Sequence, residues 1–245
     1  MTGRPLRRIN GEPTLPLPAN SLPGSIPAVR QLVDEGMELG ALTVIVGENG
    51  AGKSTLVEAV AMAFGMSAEG GSTGARHSTR SSESTLHQHL RLVRGVAGAR
   101  WGFFLRAETM HSFYTYLEDR EFAPEFHEMS HGESFLRVLA TRFDSPGLYV
   151  LDEPEAATPR TASPVNTLSF RSTLALIDVL QGIVRSDTAQ AVVATHSPMV
   201  AATPGADLYE VGDWGIRRSS WDELALVHHW RAFMDQPESY LRHLR

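Results

Sequence analysis

A glycine-rich stretch, GENGAGKST, occupies residues 47–55 and has the residue types that bind phosphate. It follows an apolar run and precedes a helical pattern, which is the context that this loop pattern requires. Glycines let the backbone bend closely around an anion with its N–H groups turned inward, and the start of a helix adds positive partial charge. The predicted phosphate-binding residues are Gly47, Glu48, Asn49, Gly50, Ala51, Gly52, Lys53, Ser54 and Thr55.

Lys53 is the only lysine among the 22 lysine and arginine residues of the chain. A compact ammonium on a flexible stem fits among phosphate oxygens, whereas a planar guanidinium is wider and differently oriented. We therefore expect Lys53 to contact the β- and γ-phosphates of a nucleotide in a catalytic role. The Ser54 hydroxyl is expected to bind Mg²⁺.

A second stretch, LYVLDEPE at residues 148–155, carries carboxylates at the end of an apolar run. The carboxyl ends of strands line the ligand-binding edge of an open α/β sheet, so Asp152 and Glu153 are expected beside the phosphate loop. Asp152 suits the outer shell of Mg²⁺, and Glu153 suits the general base that activates an attacking water. Taken alone, the stretch could be a simple turn, but the phosphate loop upstream favours the catalytic interpretation.

His196 follows a third apolar run, within ATHSP at residues 194–198. A lone histidine is more often structural than catalytic. Because this one follows two strands that carry phosphate-site residues, it is predicted to sense the γ-phosphate from the same sheet edge.

The stretch MSHGESF at residues 129–135 supports two compatible interpretations. Ser130 and Glu133, three residues apart, form the pattern of a helix capping box. The same serine and Gly132, at a helix N-terminus, could also present hydrogen-bond donors to a phosphate.

Strands and helices must alternate to bring these side chains together. Continuous apolar runs predict buried strands, and apolar residues at helical spacing predict helices. The predicted strands lie at 41–46, 100–108, 147–154 and 190–197 with a hairpin at 208–218, and the predicted helices lie at 26–36, 53–65, 169–185, from near Ser130 and from about Trp221. Residues 1–27, with six prolines, are predicted to be extended, and residues 67–82 to form a loop. This alternation predicts an α/β sandwich with a mainly parallel sheet and an antiparallel edge.

Composition limits the class of protein further. The 245 residues are 42% hydrophobic with a net charge of −6, which suits an ordinary globular protein and argues against coating nucleic acid through bulk charge. Cysteine is absent, which excludes disulfides and thiol catalysis and fits a reducing, cytoplasmic setting. We expect neither a signal peptide nor membrane insertion, because no apolar run approaches the roughly 20 residues that cross a bilayer. A basic stretch from Arg76 to Arg106 is interpreted as a solvated or ion-paired surface, with a nucleic-acid patch as the alternative.

The four motifs, in this order, resemble those of the ABC-type ATPase superfamily. GENGAGKST looks like its Walker A motif, LYVLDEP like Walker B, SHGES like a variant of the signature motif, and ATHSP like the switch-histidine loop. The sequences of these motifs are most similar to those of small stand-alone bacterial ATPases of the SMC and RecF kind. The resemblance covers nearly the whole chain. It implies a single P-loop NTPase domain over residues 1–245, with a small helical lobe at about 107–143 that carries the signature.

The resemblance also implies ATP and Mg²⁺ as cofactors and hydrolysis of ATP. The implied partner is a second copy of the chain, in a head-to-tail dimer that closes on two ATP molecules. In such a dimer Ser130, Gly132 and Glu133 of one subunit would contact the γ-phosphate that Lys53 of the other subunit holds.

Three departures from the family pattern leave alternatives open. The signature has His and Glu where Gly and Gln are usual, and the loop that normally carries a Mg²⁺-contacting Gln offers Glu108 as the metal ligand, with Arg106 as the alternative. Residues 158–167 are an insertion in the D-loop, which lies along the dimer interface in the superfamily. The alternatives are an ATP-gated switch with little turnover that acts on a protein or DNA partner, and the nucleotide-binding subunit of a transporter.

Overall fold

The computed structural model describes residues 3–20, 22–73, 84–106, 139, 143, 145–156 and 168–242. The predicted signature helix near Ser130, most of the predicted 107–143 lobe and the predicted insertion at 158–167 lie outside these residues. In chain order the described strands are β1 (Leu6–Gly11), β2 (Met37–Glu38), β3 (Leu42–Gly47), β4 (Gly71–Ser72), β5 (Leu90–Arg94), β6 (Gly102–Arg106), β7 (Gly147–Asp152), β8 (Ala189–Thr195), β9 (Asp207–Gly212) and β10 (Gly215–Ser219). The described α-helices are α1 (Pro27–Glu35), α2 (Lys53–Phe64), α3 (Phe170–Arg185), α4 (Pro198–Ala201), α5 (Ala225–Asp235) and α6 (Pro237–Leu241).

A seven-stranded sheet has the spatial order β10-β9-β3-β8-β7-β6-β4. The five inner strands pair in parallel, whereas β10 and β4 run antiparallel at the two edges. Every residue of β7 and β8 is buried, as is all of β3 except its last glycine, which is why these strands read as unbroken apolar runs. The predicted α/β sandwich with a mainly parallel sheet and an antiparallel edge is confirmed, and a second antiparallel strand lies at the other edge.

Helices pack on both faces of this sheet. Helices α1 and α2 share one core with Ile45 and Val192, and α3, α4 and α5 share the other with Val44 and Val193. Neighbouring strand residues enter opposite cores because successive side chains of a strand point to opposite faces. The sheet is therefore fixed from both sides, which makes the ends of its strands a rigid platform.

The predicted ends of the first two helices are confirmed. Helix α1 has Pro27 in its first turn and is followed by Gly36, whose φ is 74°. Helix α2 begins directly after Gly52 and ends at Gly65, which has φ 109°. Proline suits a helix start because its missing N–H has no partner there, and glycine tolerates the left-handed conformation that ends a helix.

A second, three-stranded antiparallel sheet of order β2-β1-β5 was not predicted beyond the extended character of residues 1–27. The buried Gln190 on β8 joins it to the central sheet. Its amide donates 2.8 Å to the Leu6 carbonyl and 2.7 Å to the Gly40 carbonyl, and its Oε1 accepts from the Leu6 N–H at 2.8 Å. One polar side chain therefore satisfies three backbone groups between the sheets.

Other segments differ locally from prediction. Strand β4 lies within the predicted 67–82 loop, where Gly71 and Ser72 pair with β6. The tail helix begins as a 3₁₀ turn at Trp221–Glu223, because Ser220 and Glu223 form a capping box, and it is divided again before Pro237. Over the part of the chain that the structure describes, no helix combines the length and apolarity needed to cross a membrane.

Candidate functional site

Four parallel strands end at one edge of the central sheet and bring the predicted site residues together. Strand β3 leads into the loop that ends at Lys53, β7 ends in Asp152, β8 ends immediately before His196, and β6 ends in Arg106. Arg106 and Asp152 are register partners, and Asp152 is in turn paired with Ala194. Strand register thus explains why these residues, distant in sequence, meet.

The phosphate loop has the backbone that its glycines predict. Gly50 and Gly52 have φ values of 82° and 96°, in the left-handed region that glycine adopts without strain. Gly47 is required for a different reason, because a Cβ there would lie 2.4 Å from the carbonyl oxygen of Val211. The loop is therefore shaped by its neighbours as well as by its own sequence.

The lysine of this loop is held by the loop itself. Lys53 Nζ donates 3.0 Å to the Glu48 carbonyl oxygen, and Lys53 is only 4% exposed. Glu48 and Asn49 are exposed, whereas Ala51 and Thr55 are half-buried. The structure thus places a buried ammonium behind an exposed loop of backbone amides.

Burial lowers the pKa of Lys53, because removing an ammonium from water disfavours its charged form. The carboxylates of Glu153, Asp152 and Glu155 act in the opposite direction and favour the charged ammonium. The desolvation effect is the larger one. A bound phosphate would add further negative charge and favour the protonated lysine.

Ser54 and Asp152 form a pair suited to a hard cation. Ser54 Oγ donates 3.0 Å to Asp152 Oδ1, and Asp152 is 6% exposed. A hydroxyl and a carboxylate are oxygen ligands of the kind that Mg²⁺ takes from proteins, with phosphates and waters completing its shell. Within the described residues, no group of three or more His, Asp or Glu side chains could hold a metal ion. The donor set present fits Mg²⁺ bound together with a nucleotide.

Arg106 lies at the same corner of the site. Its Nη1 is 2.7 Å from Glu58 Oε2 on α2 and donates 3.1 Å to the Ala68 carbonyl, while its Nε is 3.8 Å from Asp152 Oδ2. Arg106 is thus ion-paired, in agreement with one interpretation of the basic stretch. The other residue considered for this position, Glu108, lies outside the described residues.

Glu153 and His196 face each other at the ends of β7 and β8. His196 Nε2 lies 3.1 Å from Glu153 Oε1, although the two atoms are not aligned for a hydrogen bond. Glu153 has φ 50°, and it is the only described residue other than glycine with a positive φ. Its N–H donates 2.9 Å to the Ala194 carbonyl. Strained conformations of this kind persist where surrounding structure holds them, which is common at functional sites.

Two contributors were missed by the sequence analysis. Glu58, one helical turn after Ser54, is the ion-pair partner of Arg106, and its position at i+4 on the predicted helix was the available signal. Glu155, two residues after Glu153, accepts hydrogen bonds from the Thr195 hydroxyl and the His196 N–H. No spacing rule identifies Glu155, since its partners are on another strand.

A family model described as an AAA domain matches residues 29–117. The matched segment contains most of α1 and all of β3, the phosphate loop and α2, so it covers the unit that presents Lys53. This match agrees with the predicted resemblance to P-loop ATPases and supports a nucleotide-binding ATPase domain. No curated protein matches the sequence.

Solved structures with a similar arrangement include two from ABC transporters and one SMC head. A metal-chelate type ABC transporter in an inward-facing conformation is 13% identical, with 95% of this chain and 89% of that chain covered and a TM-score of 0.44. An SMC head bound to the C-winged helix domain of ScpA is 14% identical, with 80% and 94% covered and a TM-score of 0.42. A nucleotide-free ATP-binding cassette from an ABC transporter is 14% identical, with 76% and 83% covered and a TM-score of 0.39.

The described part of the site therefore contains every predicted residue of the phosphate loop together with Asp152, Glu153 and His196. The predicted signature residues Ser130, Gly132 and Glu133 lie outside the described residues. What the described residues provide is a phosphate cradle with a buried lysine, a pair of hard oxygen ligands, and a carboxylate beside an imidazole. These groups suit transfer of a phosphoryl group to water.

Proposed function

We propose that this protein is a Mg²⁺-dependent ATPase that converts ATP and water into ADP and inorganic phosphate. One observation carries the proposal: a buried lysine in a phosphate loop, a Ser–Asp pair and a Glu–His pair all meet at one sheet edge. Phosphoryl transfer needs little covalent chemistry from a protein, and positioning with charge stabilisation supplies most of the catalysis. The AAA-domain match supports the same proposal.

The N–H groups of the loop and the ammonium of Lys53 would hold the β- and γ-phosphates. Ser54 and Asp152 would hold Mg²⁺, which supplies charge neutralisation when it is bound. A water oxygen forms a bond to the γ-phosphorus while the bond to the β–γ bridging oxygen breaks and its electron pair leaves with ADP. Glu153 orients this water and accepts a proton from it, and His196 contacts the γ-phosphate that is released.

We also propose that the working form is an ATP-dependent, head-to-tail homodimer in the cytoplasm, with no membrane insertion. In this dimer the signature residues Ser130, Gly132 and Glu133 would complete the site of the other subunit. The support is the motif order in the sequence, which resembles that of ATPases with composite sites. The 158–167 insertion would lie near this contact and could make closure depend on a further protein or nucleic-acid partner.

Glu153→Gln tests the enzymatic part of the proposal. It removes the proton acceptor and keeps the size of the side chain, so turnover should fall by about 10²-fold or more while ATP still binds. Glu223→Gln is the matched control, because Glu223 caps Ser220 after the end of β10 that pairs with Leu208, at the opposite end of β9 from the phosphate loop. Wild-type turnover no higher than that of Glu153→Gln would overturn hydrolysis and favour the ATP-gated switch.

The mass of Glu153→Gln in solution tests the dimer, by light scattering with and without Mg·ATP. A change from one chain mass to two on adding Mg·ATP, lost when Ser130→Arg is added, is expected for a composite site. A mass that stays at one chain while nucleotide binds would contradict ATP-driven dimerisation. Failure of nucleotide to bind the wild-type protein at all would overturn the whole proposal.

A further inference from the structure

Glu155 lies beside the proposed catalytic pair but does not belong to it. It is part of a 3₁₀ turn, Pro154–Ala156, which is separated from the end of β7 by Glu153 alone. From that turn its side chain reaches across to the end of β8, where Thr195 and His196 are. The side chain thus joins the segments that follow β7 and β8, where Glu153 and His196 lie.

One carboxylate oxygen of Glu155 fixes three consecutive residues. Glu155 Oε1 accepts from the Thr195 hydroxyl at 2.6 Å and from the His196 N–H at 2.7 Å. The Thr195 hydroxyl in turn accepts from the Ser197 N–H at 2.9 Å. Hydrogen bonds to an ionised carboxylate are about twice as strong as neutral ones. The backbone on both sides of His196 is therefore held in place by a single charged group.

The backbone that carries this carboxylate is itself held by hydrogen bonds. Within its turn, the Ala156 N–H donates 2.8 Å to the Glu153 carbonyl, and the Glu155 carbonyl accepts from the Leu168 N–H at 2.7 Å. Leu168 is the first described residue after the 158–167 insertion. Glu155 is thus connected by hydrogen bonds to the end of β8 and to the segment that leads into α3.

The hydrogen bonds of Glu155 do not involve the His196 ring. Glu155 holds the backbone of His196, while the ring is in contact with Glu153 without an aligned hydrogen bond. Such an arrangement fixes the backbone position from which the imidazole extends and leaves the side chain able to rotate toward a phosphate. Misplacement of a catalytic group by about 1 Å can reduce a rate about 10²-fold, so a fixed starting point is consequential.

We propose that Glu155 is a positioning residue that acts through His196: its carboxylate holds the β8 end so that the His196 imidazole lies between Glu153 and the γ-phosphate. This inference rests on the proposed ATPase function. It differs from a merely structural role in one respect. Loss of a merely structural carboxylate would lower both the stability of the fold and the affinity for ligands. Loss of a positioning carboxylate lowers turnover, and it does so through His196 alone.

The experiment compares Glu155→Ala, His196→Ala and the double variant for turnover, ATP affinity and thermal stability. Glu155→Ala should lower kcat about tenfold or more, with the dissociation constant of ATP nearly unchanged, because the phosphate loop is not touched. The double variant should be no slower than His196→Ala, since Glu155 has no role once the imidazole is absent. Glu155→Gln keeps an acceptor oxygen without the charge, so its turnover should lie between wild type and Glu155→Ala.

The matched control is Glu223→Ala. Glu223 Oε2 accepts from one backbone N–H and one hydroxyl, both of Ser220, and so copies the contact chemistry of Glu155 away from the site. Its turnover should equal that of wild type. Losses that multiply in the Glu155→Ala/His196→Ala double variant would overturn the proposal, as would unchanged kcat in Glu155→Ala.

A second measurement separates this inference from the proposed function. Amide exchange of His196 in the nucleotide-free protein should be about tenfold faster in Glu155→Ala, because the N–H loses its acceptor. Glu155→Gln replaces Glu155→Ala in this test if the latter does not fold, since its neutral carbonyl oxygen is a weaker acceptor for the His196 N–H than the carboxylate. If wild type shows no turnover, the function fails, and faster exchange still supports the positioning of His196. Unchanged exchange overturns the positioning whether or not ATP is hydrolysed.

Discussion

Arg106 Nε lies 3.8 Å from Asp152 Oδ2, at the end of two paired parallel strands. The other oxygen of the same carboxylate, Oδ1, accepts from Ser54 Oγ at 3.0 Å. The candidate magnesium ligand is thus flanked by a hydroxyl on one side and a guanidinium on the other. Because Arg106 also pairs with Glu58, its guanidinium lies between two carboxylates. A positive charge beside Asp152 opposes the approach of a second cation.

Replacing Arg106 by Gln should therefore lower the Mg²⁺ concentration that half-saturates nucleotide binding. The same change leaves Glu58 without its partner in a mostly buried place, so the free energy of unfolding should fall by about 1–3 kcal/mol. The double variant Arg106→Gln/Glu58→Gln should recover part of that stability. Binding of a fluorescent ATP analogue at increasing Mg²⁺ measures the first effect, and urea unfolding measures the second. A higher Mg²⁺ requirement in Arg106→Gln would contradict the electrostatic argument.

Gln190→Ala should destabilise the fold more than most polar substitutions. Gln190 is 0% exposed and makes three hydrogen bonds to the backbone of the buried Leu6 and the half-buried Gly40, and these groups would lose their partner. Each such group costs about 1–3 kcal/mol, so a loss of about 3 kcal/mol in unfolding free energy is expected, with partial relaxation. Exposed Gln88→Ala is the control and should change stability by less than about 0.5 kcal/mol. Equal urea midpoints for the two variants would contradict this role.

The parts of the fold that could be predicted from sequence are those with local signals. Strand β3, the loop and α2 combine an apolar run, glycines and helical spacing, and each of these signals acts within a few residues. The three-stranded sheet was missed because its strands β1 and β5 are partners only across the fold, and a bulge between Leu6 and Arg8 breaks their alternation. Non-local pairing leaves little trace in a short window of sequence.

The candidate site divides in the same way. Lys53, Asp152 and His196 stand at motif positions, so their types and spacing indicated their chemistry. Glu58 and Glu155 act through residues on other elements, Arg106 and the end of β8, and no spacing within one element encodes those contacts. Residues that hold catalytic groups in place are thus harder to predict than the catalytic groups themselves.

The lowered pKa of Lys53 predicts how its contribution to stability depends on pH. Since burial lowers the pKa of Lys53 in the folded protein, the unfolded chain binds the proton more tightly there. Between the folded pKa and the ordinary value of about 10.4, the unfolded state holds more protons, so stability rises with pH across that window. Lys53→Met has no buried ammonium and is expected to be more stable than wild type at lower pH. This difference in unfolding free energy should shrink as pH rises toward 10.

Urea unfolding of wild type and Lys53→Met at a series of pH values checks this prediction. The same comparison is repeated with Glu153→Gln added to wild type and to Lys53→Met, since Glu153 is the carboxylate that most favours the charged lysine. Without that carboxylate the pH-dependent difference should start at lower pH. A constant difference between wild type and Lys53→Met across the series would mean that burial does not penalise the charged form.

The positive φ of Glu153 predicts a conflict between stability and activity. At φ 50° a side chain with a Cβ is strained, whereas glycine adopts this conformation freely. Glu153→Gly and Glu153→Ala both remove the carboxylate and should both abolish turnover, but only the glycine variant relieves the strain. The glycine variant should therefore be more stable than the alanine variant by about 1 kcal/mol. At an ordinary φ the order would be reversed, because glycine loses more backbone entropy on folding. Thermal unfolding of the two variants decides between these orders, and alanine as the more stable variant would mean that the backbone at Glu153 is not strained in solution.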